Sequence, residues 1–89
     1  MPYISPESKK LYAEDLAKLK ATIDFYDITP GQLNYLMTSL CKMYIDRKGI
    51  NYTHLNDVLG VFDGAGKEFY RRVVAPYEDK KIEENGDVY

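Results

Sequence analysis

The densest set of chemically capable side chains lies in EFYRRVVAPYED, residues 68–79, where Tyr70, Arg71, Arg72, Tyr77 and Glu78 crowd together. Guanidinium groups hold phosphates and carboxylates through paired N–H donors, and tyrosine rings offer stacking faces. Such a set could engage a protein, since tyrosine and arginine are favoured at interface hot spots. It could also hold a nucleotide-like ligand. The simpler reading is a surface pair of arginines that bridges to the acidic C-terminal segment. Residues 76–89 carry five acids against two lysines, so the countercharge is near.

Upstream, VLGVFDGAGKEFYRR places Gly60, Gly64 and Gly66 close to Lys67 and the arginines. A phosphate loop needs glycine, four residues, then Gly-Lys and a serine or threonine. Here Val61 stands where the first glycine belongs, and Glu68 follows Lys67. The negative charge falls where a phosphate or magnesium ligand is wanted. No strand precedes the segment, so a dinucleotide fingerprint fails as well. Nucleophilic and metal chemistry fare no better. His54 and Cys41 are the single histidine and cysteine, and neither has a second soft ligand nearby in sequence. A Cys–His pair would need a third group to orient it. His54 reads as a helix-entry residue and Cys41 as a buried, inert thiol. Glu78, Asp79, Glu83 and Glu84 could line one helix face for magnesium, but Lys80 and Lys81 interleave them as on a solvated face. The sequence is read as non-enzymatic, with no metal and no cofactor.

Helices must position these residues. Ser5 is a candidate N-cap and Pro6 suits the first helical position, where its missing N–H costs nothing. Tyr12, Leu16, Leu19 and Ile23 then fall on one helical face. Thr29, Pro30 and Gln32 form a second start, with Gln32 where a capping box places glutamine. Leu33, Leu36 or Met37, Leu40 and Met43 or Tyr44 continue at helical spacing. Lys48 and Gly49 end it, so the second helix is predicted over residues 30–48. The third begins near residues 51–53. Leu55, Val58 or Leu59, Phe62, Ala65, Phe69 and Val73 keep their register across the glycines, which predicts one helix over residues 55–75. Gly60 and Gly64, four apart, share a face expected to lie against another helix, of this chain or of a second subunit. Pro76 predicts the end or a sharp kink of that helix. A short fourth helix follows, folded back towards the others by Tyr77 and Ile82, and Asn85-Gly86 stops it. No segment alternates with a period of two, so no sheet is expected.

The bulk numbers agree with a small all-α domain, a bundle of three main helices plus a short C-terminal one over residues 1–89. Of the 89 residues, 45% are hydrophobic and 29% charged, and the net charge is −2. That balance disfavours nucleic acid and anionic membranes as partners. No apolar run approaches the roughly 20 residues that span a bilayer. The opening MPYISPESKK turns polar at once, unlike a signal peptide, and one thiol fits a reducing compartment. A domain this small has a thin stability margin, which oligomerisation widens.

The chain also resembles a family of small, uncharacterised proteins found mainly in bacteriophage genomes. The likeness is carried by MPYIS, LNYLMTSL, NYTHLNDVLGVF and above all EFYRRVVAPYEDKKIEENGDVY. Members often carry bulkier residues in place of DGAG, which implies a continuous third helix. The resemblance transfers no catalytic residue. It implies an accessory phage protein made in the cytoplasm of the bacterial host. The expected function is binding of a host or phage protein through the Tyr70–Glu78 region. The alternative is an oligomeric sponge that sequesters a nucleotide-like signal between subunits.

Overall fold

The computed structural model describes residues 4–89, so Met1–Tyr3 of the opening MPYIS lie outside the described residues. The described chain is all-α, with no strand among its elements. Helix α1 spans Pro6–Tyr26. Ser5 caps it as its residue type predicts: the hydroxyl oxygen accepts from the Ser8 N–H at 3.1 Å. The helix ends because Asp27 turns left-handed (φ 50°) and donates its N–H to the Ile23 carbonyl at 3.0 Å. Aspartate is among the few non-glycine residues that tolerate this region.

Helix α2 spans Pro30–Lys48, the predicted bounds. Its entry is a complete capping box. The Gln32 N–H donates to Thr29 Oγ1 at 3.2 Å, and the Thr29 N–H donates to Gln32 Oε1 at 2.9 Å. Two otherwise orphaned donors are thus satisfied reciprocally. Gly49 ends α2 at φ 95°, its N–H donating to the Ile45 carbonyl at 2.7 Å. A β-carbon would be strained there.

Asn51 opens helix α3, Tyr52–Phe69, its side-chain oxygen accepting from the His54 N–H at 2.8 Å. The His54 ring turns back to the α2 exit, Nδ1–H donating to the Gly49 carbonyl at 2.8 Å. His54 is therefore a structural entry residue that ties the α2–α3 corner. Helix α3 passes through Gly60, Gly64 and Gly66 without a break, which disposes of the phosphate loop.

The chain departs from expectation at Pro76. The helix neither ends nor turns sharply away there. Instead a π turn over Tyr70–Val74 leads directly into helix α4, Ala75–Asn85. The backbone stays helical, with φ −72°, ψ −50° at Val74 and φ −60°, ψ −47° at Ala75. The physical reason is the proline ring. In a regular α-helix it would press on the Arg72 carbonyl and leave it without a donor. The wider turn lets the Ala75 N–H reach one residue further back, to the Tyr70 carbonyl, and takes up the misfit. The expected fold-back of residues 77–85 is likewise not made within residues 40–89. Within residues 40–89, helix α4 packs against the π turn that precedes it, and Tyr77 and Ile82 remain exposed. A helix that continues through the proline carries those two residues onward rather than back. Gly86 (φ 86°) closes α4 with its N–H on the Ile82 carbonyl.

The contacts fall into two units that part between Ser39 and Leu40, inside α2. In neither is any described residue fully buried. The stripe foreseen on the first helix shows the consequence. Leu19 and Ile23 are half-buried, while Tyr12 and Leu16 stay exposed. No described helix is long and apolar enough to cross a membrane.

Candidate functional site

The Tyr70–Glu78 constellation straddles the π turn: Tyr70, Arg71 and Arg72 lie on it, and Tyr77 and Glu78 lie in the first turns of α4. Seven residues of regular α-helix would bring Tyr70 and Tyr77 nearly into line. The extra residue of the π turn shifts that register by roughly 100°. Among the described residues no ring contact joins the two tyrosines. The Tyr77 ring instead lies under Lys81, with Nζ 5.4 Å from its centroid, a favourable cation–aromatic placement.

What gathers the arginines is a residue that the sequence reading passed over. Glu68 takes both. Arg71 Nη2 donates to its two carboxylate oxygens at 3.2 and 3.3 Å, and Arg72 Nε donates to Oε2 at 2.7 Å. The spacings of three and four residues follow from helix geometry, with the acid on the N-terminal side where it is favoured. The bridge expected from Arg71 to the acidic C-terminal segment is thus made to Glu68, one turn earlier. The Arg72 hydrogen bond, then that of Arg71, holds the Glu68 carboxyl below its ordinary value. A depressed acid contributes stability above its unfolded pKa and loses it as pH falls through the folded one. An NMR acid titration should therefore find Glu68 protonating below the ordinary glutamate range. Arg72→Gln should raise that midpoint more than Arg71→Gln does. An unshifted Glu68 in the parent would show that these solvent-exposed pairs do not persist in solution.

On another side of α3 lies a shallow surface hollow of about 520 Å³, lined by Phe62, Asp63, Gly66, Lys67 and Tyr70. It exists because Gly66 has no side chain between Phe62 and Tyr70, one turn to either side. Lys67 Nζ meets Asp63 Oδ2 across its rim at 2.8 Å, and that hydrogen bond raises the lysine pKa. A second, narrower hollow of about 240 Å³ separates the end of α2 from α3, between Leu40, Cys41 and Tyr44 on one side and Asp57, Val58 and Val61 on the other. Cys41 is half-buried on its wall rather than fully enclosed. No three of the described histidine, cysteine and acidic side chains gather as metal ligands.

The three glycines occupy two sides of α3. With about 100° per residue, Gly66 stands roughly 40° from Phe62, inside the apolar arc, whereas Gly60 and Gly64 stand roughly 160° away. They share that far side with Asp57, Lys67 and Arg71. A β-carbon built at Gly60 or Gly64 meets nothing within 4 Å. Within residues 40–89, no helix lies against them. The signal for Gly66 was present in the sequence: Leu55, Leu59, Phe62, position 66, Phe69 and Val73 follow alternating spacings of four and three.

The family described as "Domain of unknown function (DUF6899)" matches residues 1–88. The chain belongs to this family. The match takes in both hollows and the Glu68 triad, so in this DUF6899 chain they lie inside the shared domain rather than on an appended segment. No curated protein and no solved structure matches it.

Proposed function

We propose that the chain is a non-enzymatic accessory protein, phage-encoded and acting in the bacterial cytoplasm, that works by binding a host or phage protein. One observation carries this reading. Apolar side chains on every helix are exposed, among them Leu16 on α1, Leu40 on α2, Val61 on α3 and Ile82 on α4. Uncovered apolar surface at this density is a property of interaction surfaces rather than of finished monomers. Tyr70, Arg71, Arg72, Tyr77 and Glu78 supply the tyrosine and arginine contacts that such interfaces favour.

A second reading, the sponge for a nucleotide-like signal, draws on Lys67 and Tyr70, which line the larger hollow, and on the guanidinium groups of Arg71 and Arg72 on the π turn. The tagged full chain, passed through bacterial lysate, should retain one protein in stoichiometric amount, and Tyr70→Ala with Arg71→Glu should release it. Retention of no protein would overturn the reading. The sponge would then be supported by a thermal shift with cyclic or linear nucleotides, since ligand at 100 times its Kd stabilises by about 2.7 kcal/mol.

A further inference from the structure

The apolar arc of α3 has two edges. One carries Val58 and Val61 and borders the hollow beside α2. The other carries Leu55, Leu59, Gly66 and Phe69, and within residues 40–89 no other helix lies on it: Leu59 is 65% exposed and Phe69 61%. Together with Phe62 these residues hold the alternating four-and-three spacing of a helix–helix seam for about two heptads, up to the π turn. We propose that this edge is the interface between two copies of the chain, paired with their α3 helices antiparallel about a two-fold axis near residue 64.

Three observations single out a second copy as the occupant. The first is shape. A two-fold interface must be complementary to itself. Antiparallel pairing about residue 64 sets Phe62 of one copy opposite Gly66 of the other. The hollow over Gly66, about 520 Å³, has room for an aromatic ring, and the same fit is made twice. The same register sets Leu59 opposite Phe69, so the exposed apolar residues that flank the hollow meet each other. The second is charge. The rim of the hollow carries one acid and one base, Asp63 and Lys67, held 2.8 Å apart. Reversed by the two-fold axis, Asp63 of each copy comes beside Lys67 of the other, and no like charges are forced together. The third is Gly66 itself. It costs roughly 1 kcal/mol against alanine in a helix, yet it stands in the apolar arc where a larger apolar residue would otherwise serve. An incoming ring accounts for its size.

This inference does not depend on the proposed function, which concerns the Tyr70–Glu78 surface and a different protein. Sedimentation of the purified full chain should give twice the 10.3 kDa chain mass. Gly66→Leu, which fills the hollow, should raise the dimer dissociation constant at least about tenfold, in line with the penalty for overpacking a contact. Gly64→Ala, on the far side of the helix, should leave that constant unchanged. Because Gly66→Leu could also disturb folding, a cross-linking arm tests the register directly in the parent fold. In a Cys41→Ser background, chains carrying Leu59→Cys and chains carrying Phe69→Cys are mixed and oxidised. Mixed disulfide dimers in excess over either like pair support the antiparallel register. A single-chain mass at all concentrations overturns the proposal. So does preferential cross-linking of the Leu59→Cys chains to one another, which marks parallel helices, or a different protein bound one-to-one in place of the second copy. If the lysate experiment fails while the dimer forms, only the functional reading falls.

Discussion

Pro76→Ala is expected to stabilise the chain by up to about 3 kcal/mol, the amount by which proline falls below alanine inside a helix, less what the π turn already relieves. It is also expected to turn α4 about the helix axis. Two effects combine. Alanine restores an N–H that can donate to the Arg72 carbonyl, and it removes the ring that presses on that carbonyl. The π turn at Tyr70–Val74 then loses its cause, and regular α-helix can run from α3 into α4. Closing one extra residue rotates residues 77–85 by roughly 100° relative to α3. That rotation carries Tyr77 towards the Tyr70 face and away from its present direction. Urea unfolding followed by circular dichroism reads the stability. Amide hydrogen exchange at Ala75 and Tyr77 reads the new bonding. If the protein partner grips Tyr70, Arg71, Arg72, Tyr77 and Glu78 as one surface, the more stable variant should bind it less well. A variant with unchanged stability, unchanged exchange and unchanged binding would show that the π turn is not imposed by the proline.

The same turn marks the limit of what the sequence discloses. The capping chemistry at these helix ends was legible. Ser5, Thr29 with Gln32, Gly49 and Gly86 each act as their residue types foretell, because a cap is decided by a handful of atoms three or four residues apart. The course of α3 through three glycines was legible for a related reason: apolar periodicity outweighs a propensity cost of about 1 kcal/mol at each. Pro76 was read only halfway. That the α-helix could not continue unchanged followed from the missing N–H. That the chain would widen by one residue rather than break could not be read from residue types, because it depends on whether the flanking turns hold the backbone helical. The Glu68 triad was within reach, since Glu68–Arg72 and Asp63–Lys67 are ordinary pairs at a spacing of four. It was missed because the C-terminal acids offered the arginines a larger countercharge than the single carboxylate one turn back. The proposed binding surface was not legible beyond its residue types, because a partner leaves no spacing rule in a single sequence.

Replacing Gly60 and Gly64 together by alanine is expected to raise the unfolding free energy by about 2 kcal/mol. Each alanine gains roughly 1 kcal/mol of helix propensity. The gains should nearly add, because two methyl groups one turn apart share no common neighbour to strain. The gain survives only if both positions are open. Within residues 40–89 the structure gives each a β-carbon with nothing inside 4 Å. Helix geometry also sets them on the side of α3 that carries Asp57, Lys67 and Arg71. Spacing alone suggested the opposite, a close helix contact over two small residues four apart, and the measurement decides between the two. A loss of stability would restore that contact and locate a neighbour against the polar side of α3. If the loss came with a fall in mass, the neighbour would be a second subunit, and the dimer seam would have to move from the Gly66 edge to the Gly60 and Gly64 edge. A gain with dimer mass intact leaves the seam on Leu59, Gly66 and Phe69. The three glycines would then differ in role: Gly66 makes room for an incoming ring, while Gly60 and Gly64 only lower the helix's stability.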